Sequence, residues 1–202
     1  MKKYGLLYSI LFVFAFMSVT VTAAYGQTVE PSYDVSLQLL VGSNDGGSIP
    51  EVPQNLSAIS RQIKGAFPFL NYRLAHTLLG RVSNTGSLEY KSVGDVFAQP
   101  SDRRFESFLE WTMGNIRNMP TAKGPSGFQA QAFRFGARVP VVTGNAKDET
   151  GKLIPIVNYE QIGLSLGKIG LSENMPTLMG TVNLPGAGGT IFLVMTVKSA
   201  DL

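Results

Sequence analysis

The chain has 202 residues, 17 Lys or Arg against 14 Asp or Glu, one histidine and no cysteine. The lack of cysteine excludes disulfide staples, a lipid-modified N-terminal cysteine and a thiolate metal centre, and a single histidine leaves no imidazole set for zinc. With 44% hydrophobic residues, a chain of this length can bury its own core without cross-links.

After Lys2 and Lys3 no charged side chain occurs from Tyr4 to Thr28, and the apolar density peaks between Gly5 and Val19. A charged start followed by an apolar stretch is the layout of a secretory signal, and Ala24 and Gly26 supply the small residues a signal peptidase accepts. The expected cut follows Gly26, giving a leader of residues 1–26 and one exported β-rich domain over 27–202. An uncleaved N-terminal anchor is the alternative, because the uncharged run is long enough to cross about 30 Å of hydrocarbon. Removing the two leader lysines leaves 15 bases against 14 acids, a net charge of +1. The remaining bases, among them Arg61, Arg73, Arg104 and Arg134, are scattered along the chain instead of gathered in a stripe, which argues against nucleic acid as a partner. A periplasmic or secreted bacterial address is expected, with no membrane span after cleavage.

Along the mature chain, Val35, Leu37 and Leu39 alternate with Asp34, Ser36 and Gln38 between Tyr33 and Val41, the period of a half-buried strand. A glycine-rich loop follows. Leu56, Ile59, Ile63 and Phe67 then recur at helical spacing, with Asn55 placed to cap and Pro68 to terminate. Phe69 to Val82 reads as a second strand carrying Leu70, Tyr72, Leu74, His76, Leu78 and Gly80 on one face. A third strand is expected around Ser87 to Val93 after the turn Ser83-Asn84-Thr85-Gly86. Phe105 to Ile116 fits a helix or a strand, and the β-rich surroundings favour the strand.

Beyond the loop Pro120 to Gly127, further strands are expected over Phe128 to Val142, Leu153 to Gly167, Thr177 to Leu184 and Thr190 to Lys198, with Gly144 to Gly151 as a polar turn. The last strand is apolar on both faces, which predicts a central position. The fold class expected from this order is α+β: a β-α-β start followed by a mainly antiparallel sheet.

Candidate chemistry is sparse. Gly163-Leu164-Ser165-Leu166-Gly167 matches the nucleophile-elbow pattern, but that turn needs a helix behind the serine and a downstream histidine, whereas His76 lies upstream and no helix is expected after Gly167. His76 has no neighbouring carboxylate to orient it. Asn44-Asp45 and Asp148-Glu149 offer oxygen ligands at spacings unlike a calcium loop. Gly186-Ala187-Gly188-Gly189-Thr190 lacks the helix N-terminus of a phosphate cradle. Asp102, Glu106 and Glu110 would align on a helix, beside Arg103 and Arg104. No catalytic residue, cofactor or metal is assigned. Tyr72, Tyr90 and Trp111 are candidates for a protein-binding surface, with core packing as the alternative.

The stretch Val52 to Phe67, running into Phe69-Leu70-Asn71-Tyr72-Arg73-Leu74, resembles a loosely defined group of exported bacterial proteins of unknown function. Met175 to Val182 followed by Gly189 to Val194 is similar to the terminal strand hairpin of secretin-type outer-membrane secretion proteins. The chain has no room for both stacked periplasmic domains and a pore-forming barrel, so the resemblance implies a small envelope domain that pairs strands with, or packs on, a larger assembly. The function expected is a non-enzymatic binding or assembly domain with a protein partner in the envelope. The alternatives are a cofactor-free hydrolase using Ser165 and a small-ligand carrier.

Overall fold

Eight antiparallel strands form two four-stranded sheets in a computed structural model that describes residues 30–44, 52–94, 96–97, 105–119, 127–185 and 189–200. Residues 31–202 make one compact unit; the proposed leader lies outside the described residues. The strands are β1 (Ser32–Ser43), β2 (Asn71–Ser83), β3 (Ser87–Gly94), β4 (Ser107–Met119), β5 (Gly127–Lys147), β6 (Leu153–Ser172), β7 (Thr177–Asn183) and β8 (Thr190–Ser199). One sheet runs β2-β1-β8-β7 and the other β3-β4-β5-β6. The chain therefore moves from each strand to the next around a flattened eight-stranded barrel, and the last strand pairs with the first.

The helix α1 (Ser57–Ala66), entered through the 3-10 turn Gln54–Leu56, is the one α-helix among the described residues. This overturns the α+β expectation, for the protein is mainly β. The expected β-α-β start is also corrected: β1 and β2 pair directly and antiparallel, so the helix is an excursion between neighbouring strands. Asn55 does not cap it. The residue at the cap is Leu56, with no side-chain hydrogen bond to the first turn, and what fixes the helix is its buried stripe Leu56, Ile59 and Ile63.

That stripe sits on the outer face of the first sheet, in a cluster with Leu40, Tyr72, Phe192 and Val194. Phe192 is ringed by Phe67, Phe69 and Tyr72 at centroid distances of 5.0, 6.3 and 6.0 Å. The Tyr72 hydroxyl donates to the Phe67 carbonyl at the helix end. On its other face the same sheet meets the second sheet across the main core, where Leu37, Leu39, Ile191, Leu193 and Met195 pack with Leu109, Trp111, Phe133 and Phe135. β8 is thus central and covered on both faces, as its composition predicts.

The single face expected for β2 is split. Leu39 pairs with His76 and Leu40 with Leu74, leaving Ala75 as the extra residue of a bulge. Tyr72 and Leu74 consequently turn toward the helix cluster and Leu78 toward the main core, while Leu70 precedes the strand and is 77% exposed. In the second sheet, bulges place Ala132 (φ 53°) and Asn115 (φ 24°) in left-handed conformations, bending the long strands over the core.

At the barrel's two corners, β2 against β3 and β6 against β7, no ladder joins the sheets. Each corner is closed by a leucine seated on a glycine. A Cβ on Gly80 would lie 2.6 Å from Leu88 Cδ2, and one on Gly180 would lie 2.7 Å from Leu164 Cδ2.

Gly163 is the least replaceable of the strand glycines in the second sheet, because its Cβ would lie 2.6 Å from the Phe135 carbonyl oxygen, an atom of the backbone. Gly163→Ala is expected to lower unfolding free energy by about 1–3 kcal/mol. Gly167→Ala, where a Cβ meets nothing within 4 Å, should change it by less than about 0.5 kcal/mol. Urea unfolding of the two variants checks the contrast, and equal losses would contradict it.

Candidate functional site

The two outer faces of the barrel differ. The first sheet is capped by α1 and carries a charged rung in which Asp34 on β1 accepts from Arg81 on β2 at 2.7 Å and faces Lys198 on β8 at 3.4 Å. The arginine hydrogen bond chiefly, helped by both positive charges, holds the Asp34 carboxyl below its ordinary value. The second sheet has no helix over it among the described residues, and its strand register lays out an exposed grid.

One rung of this grid reads Lys91, Glu110, Gly136, Gly163 across β3 to β6, and the next reads Val93, Phe108, Arg138, Gln161. Two adjacent glycines leave bare backbone in the first rung. The Glu110 side chain lies over that gap, its Oε1 3.1 Å from where a Gly136 Cβ would stand. A pocket of 410 Å³ opens between the rungs, lined by Lys91, Val93, Phe108, Glu110, Arg138 and Gln161 among others. Its volume falls within the usual range of small-molecule sites, about 300–1,000 Å³. Lys91 is bonded to Glu89 at 2.7 Å. That hydrogen bond first, and then the charges of Glu89 and Glu110, raise the lysine's pKa.

Next to the pocket, the β5–β6 hairpin continues past the rest of its sheet. The last rung of β4 on β5 is Phe108 to Arg138, yet β5 and β6 stay paired from Val139 and Glu160 out to Lys147 and Leu153. Val139–Lys147 therefore has β6 as its one strand neighbour among the described residues. This ribbon carries exposed Val142, Leu153 (60%), Ile154 (48%), Ile156 (48%) and Tyr159. At its root Tyr159 packs edge-on against Phe108, with centroids 5.7 Å apart. At its tip Asp148 Oδ1 accepts from the backbone N–H groups of Thr150 and Lys152 and from the Thr150 hydroxyl, and Gly151 takes φ 81°. The polar turn expected at Gly144 to Gly151 is thus confined to Asp148–Gly151, and Gly144 to Lys147 belong to the strand.

The candidates named from the sequence do not converge. Tyr72 is buried under the helix, Trp111 is buried in the main core against Phe133, and Tyr90 is half-buried at the edge of that core. The packing alternative is what the structure has for Tyr72 and Trp111, so these three residues form no common outward surface. Ser165 stands exposed in mid-β6 opposite Arg134, with strand on both sides instead of an elbow. His76 is half-buried opposite Leu39 on the other sheet. Glu110 lies on a strand, so the helical acid row does not form; Asp102, Asp45 and Gly186–Gly188 lie outside the described residues. Among the described residues no group of three or more acidic or imidazole side chains could hold a metal ion.

Comparison with known proteins returns no matching family model and no matching curated protein. Among solved structures the chain is similar to the InvG secretin domain β-barrel from the Salmonella SPI-1 injectisome NC-base, with a TM-score of 0.36 and 11% identity, over 96% of this chain and 68% of that one. No helix of the described residues is long and apolar enough to cross a membrane, which leaves open what strands do.

The Asp148 turn gives the ribbon a pH-dependent tip. The Thr150 hydroxyl first, then the Lys152 and Thr150 amides, lower the carboxyl pKa. A carboxyl depressed in the folded state stabilises the turn above the ordinary aspartate value and loses that contribution as pH falls through the depressed one. NMR titration of the Asp148 carboxyl should show a midpoint below 3.8. A midpoint at or above 3.8 would mean the turn is not formed in solution.

Proposed function

We propose that this chain is an exported, non-enzymatic binding domain that engages a protein partner through the β5–β6 ribbon. One observation carries the reading: beyond Arg138, among the described residues, β5 keeps β6 as its one strand neighbour, β6 is itself the last strand of its sheet, and the pair carries exposed apolar side chains at Val142, Leu153, Ile154 and Ile156. Clustered exposed apolar side chains mark interaction surfaces, and a free strand edge invites a further strand. The partner that fits is an extended segment with apolar residues at alternate positions, since it would bond the outward N–H and C=O groups of β5 beyond Pro140 and extend the apolar face that carries Ile154 and Ile156. Pro140, at the root of the ribbon, removes a backbone donor from β5, so strand addition is favoured toward the ribbon's outer part.

The purified chain should retain one reproducible partner from envelope extracts of its own organism. Ile154→Asp combined with Ile156→Asp should reduce that recovery at least tenfold. The melting temperature should hold within a few degrees, because both side chains lie outside the core. Equal recovery by the double variant, repeated failure to recover any partner, or oligomers of the chain that the double variant dissolves would each overturn the reading.

A further inference from the structure

The pocket on the second sheet raises a question separate from the ribbon, because it brings together opposite charges that do not bond each other. Arg138 and Glu110 both line it, on neighbouring strands and adjacent rungs. No ion pair or hydrogen bond engages the Arg138 guanidinium among the described residues. Glu110 bends over Gly136, and its one electrostatic partner there, Lys91, is already bonded to Glu89. Between and beside the two charges stand Val93 and Phe108, about half exposed, and the Gln161 amide. The floor is backbone at Gly136, where any larger residue would push against Glu110.

A site with a donor fork, a separate carboxylate and an apolar wall is matched by a ligand that carries both charges at short range and an apolar substituent. A carboxylate meets guanidinium with two parallel hydrogen bonds, and an ammonium is met by a carboxylate. A singly charged anion would leave Glu110 opposing it, and a simple cation would leave Arg138 opposing it. We infer that this pocket binds the zwitterionic backbone of an apolar α-amino acid, with the α-carboxylate on Arg138, the α-ammonium on Glu110 and the side chain on Val93 and Phe108. Gln161 supplies a further hydrogen bond at the carboxylate end.

The test is an NMR titration of the purified chain with L-phenylalanine, its methyl ester and its N-acetyl derivative. Free phenylalanine should shift the amides of Gly136, Arg138 and Gln161 and saturate with a Kd on the order of a millimolar or tighter. Each blocked derivative should bind at least about tenfold more weakly, because each leaves one charge of the pocket unpaired. Arg138→Gln should erase the preference for free acid over ester, and Glu110→Gln the preference for free amine over acetylated amine. Both positions are exposed, so the variants should keep the wild-type fold, read from their remaining amide shifts. Equal binding of all three compounds, shifts confined to other residues, or no shifts at the solubility limit of phenylalanine would overturn the assignment. So would variants that bind all three compounds as the wild type does. The ribbon variants Ile154→Asp and Ile156→Asp leave every lining residue in place and should bind phenylalanine normally, which separates this site from the partner surface.

Discussion

Thr190–Ser199 has apolar side chains on both faces, and such a strand is stable only when both faces are covered. Ile191, Leu193, Met195 and Val197 face the second sheet, while Phe192 and Val194 face the helix. Once this strand is central, its backbone groups require a neighbour on each side, supplied by β1 and β7. Pairing of the last strand with the first brings both ends of the meander into one sheet. The helix needs no capping side chain because Phe192, ringed by Phe67, Phe69 and Tyr72, gives it a surface to bury against.

The two sheets share one core but not one environment. Large side chains fill the space between them, led by Trp111, Phe128, Phe133 and Phe135. The corners close without hydrogen-bonded ladders, by Leu88 on Gly80 and Leu164 on Gly180. Sheet closure by side chains leaves the second sheet free to bend at Asn115 and Ala132 and to run β5 and β6 on past their neighbours. The face with no helix over it among the described residues therefore carries both the charged pocket and the projecting ribbon.

Much of this was legible from residue order. Alternation located β1, the turn Ser83–Gly86 announced β3, and the two-faced apolar pattern placed β8 centrally. Ser107, Leu109, Trp111 and Met113 are buried along β4, the strand face that periodicity alone does not separate from a helix and that the β-rich surroundings favour. What periodicity misses is irregularity. The bulge at Ala75 reverses the face of β2 without changing its composition, and Asn55 looks like a cap because nothing local says that packing will set the helix start. An alternating strand and a helix also look alike whether the next strand returns parallel or antiparallel, which is why the start was misread as a crossover unit.

The pocket had no linear signature, since its lining comes from four strands and only the register aligns Lys91 with Glu110 and Phe108 with Arg138. The ribbon did have one: Leu153-Ile154-Pro155-Ile156-Val157 is apolar without alternation, next to a strand that already has a core-facing set. The aromatic residues chosen from sequence as a recognition surface were large enough to be useful in either place, and Tyr72 and Trp111 went to the core. β8 is the most deeply secured strand, and the outer part of the ribbon stands outside the packed body. Native-state hydrogen exchange reads both at once: amides of Phe192–Val197 should exchange only through global unfolding, and those of Val141–Asn145 through local opening orders of magnitude faster. Ribbon amides as slow as those of β8 would contradict it.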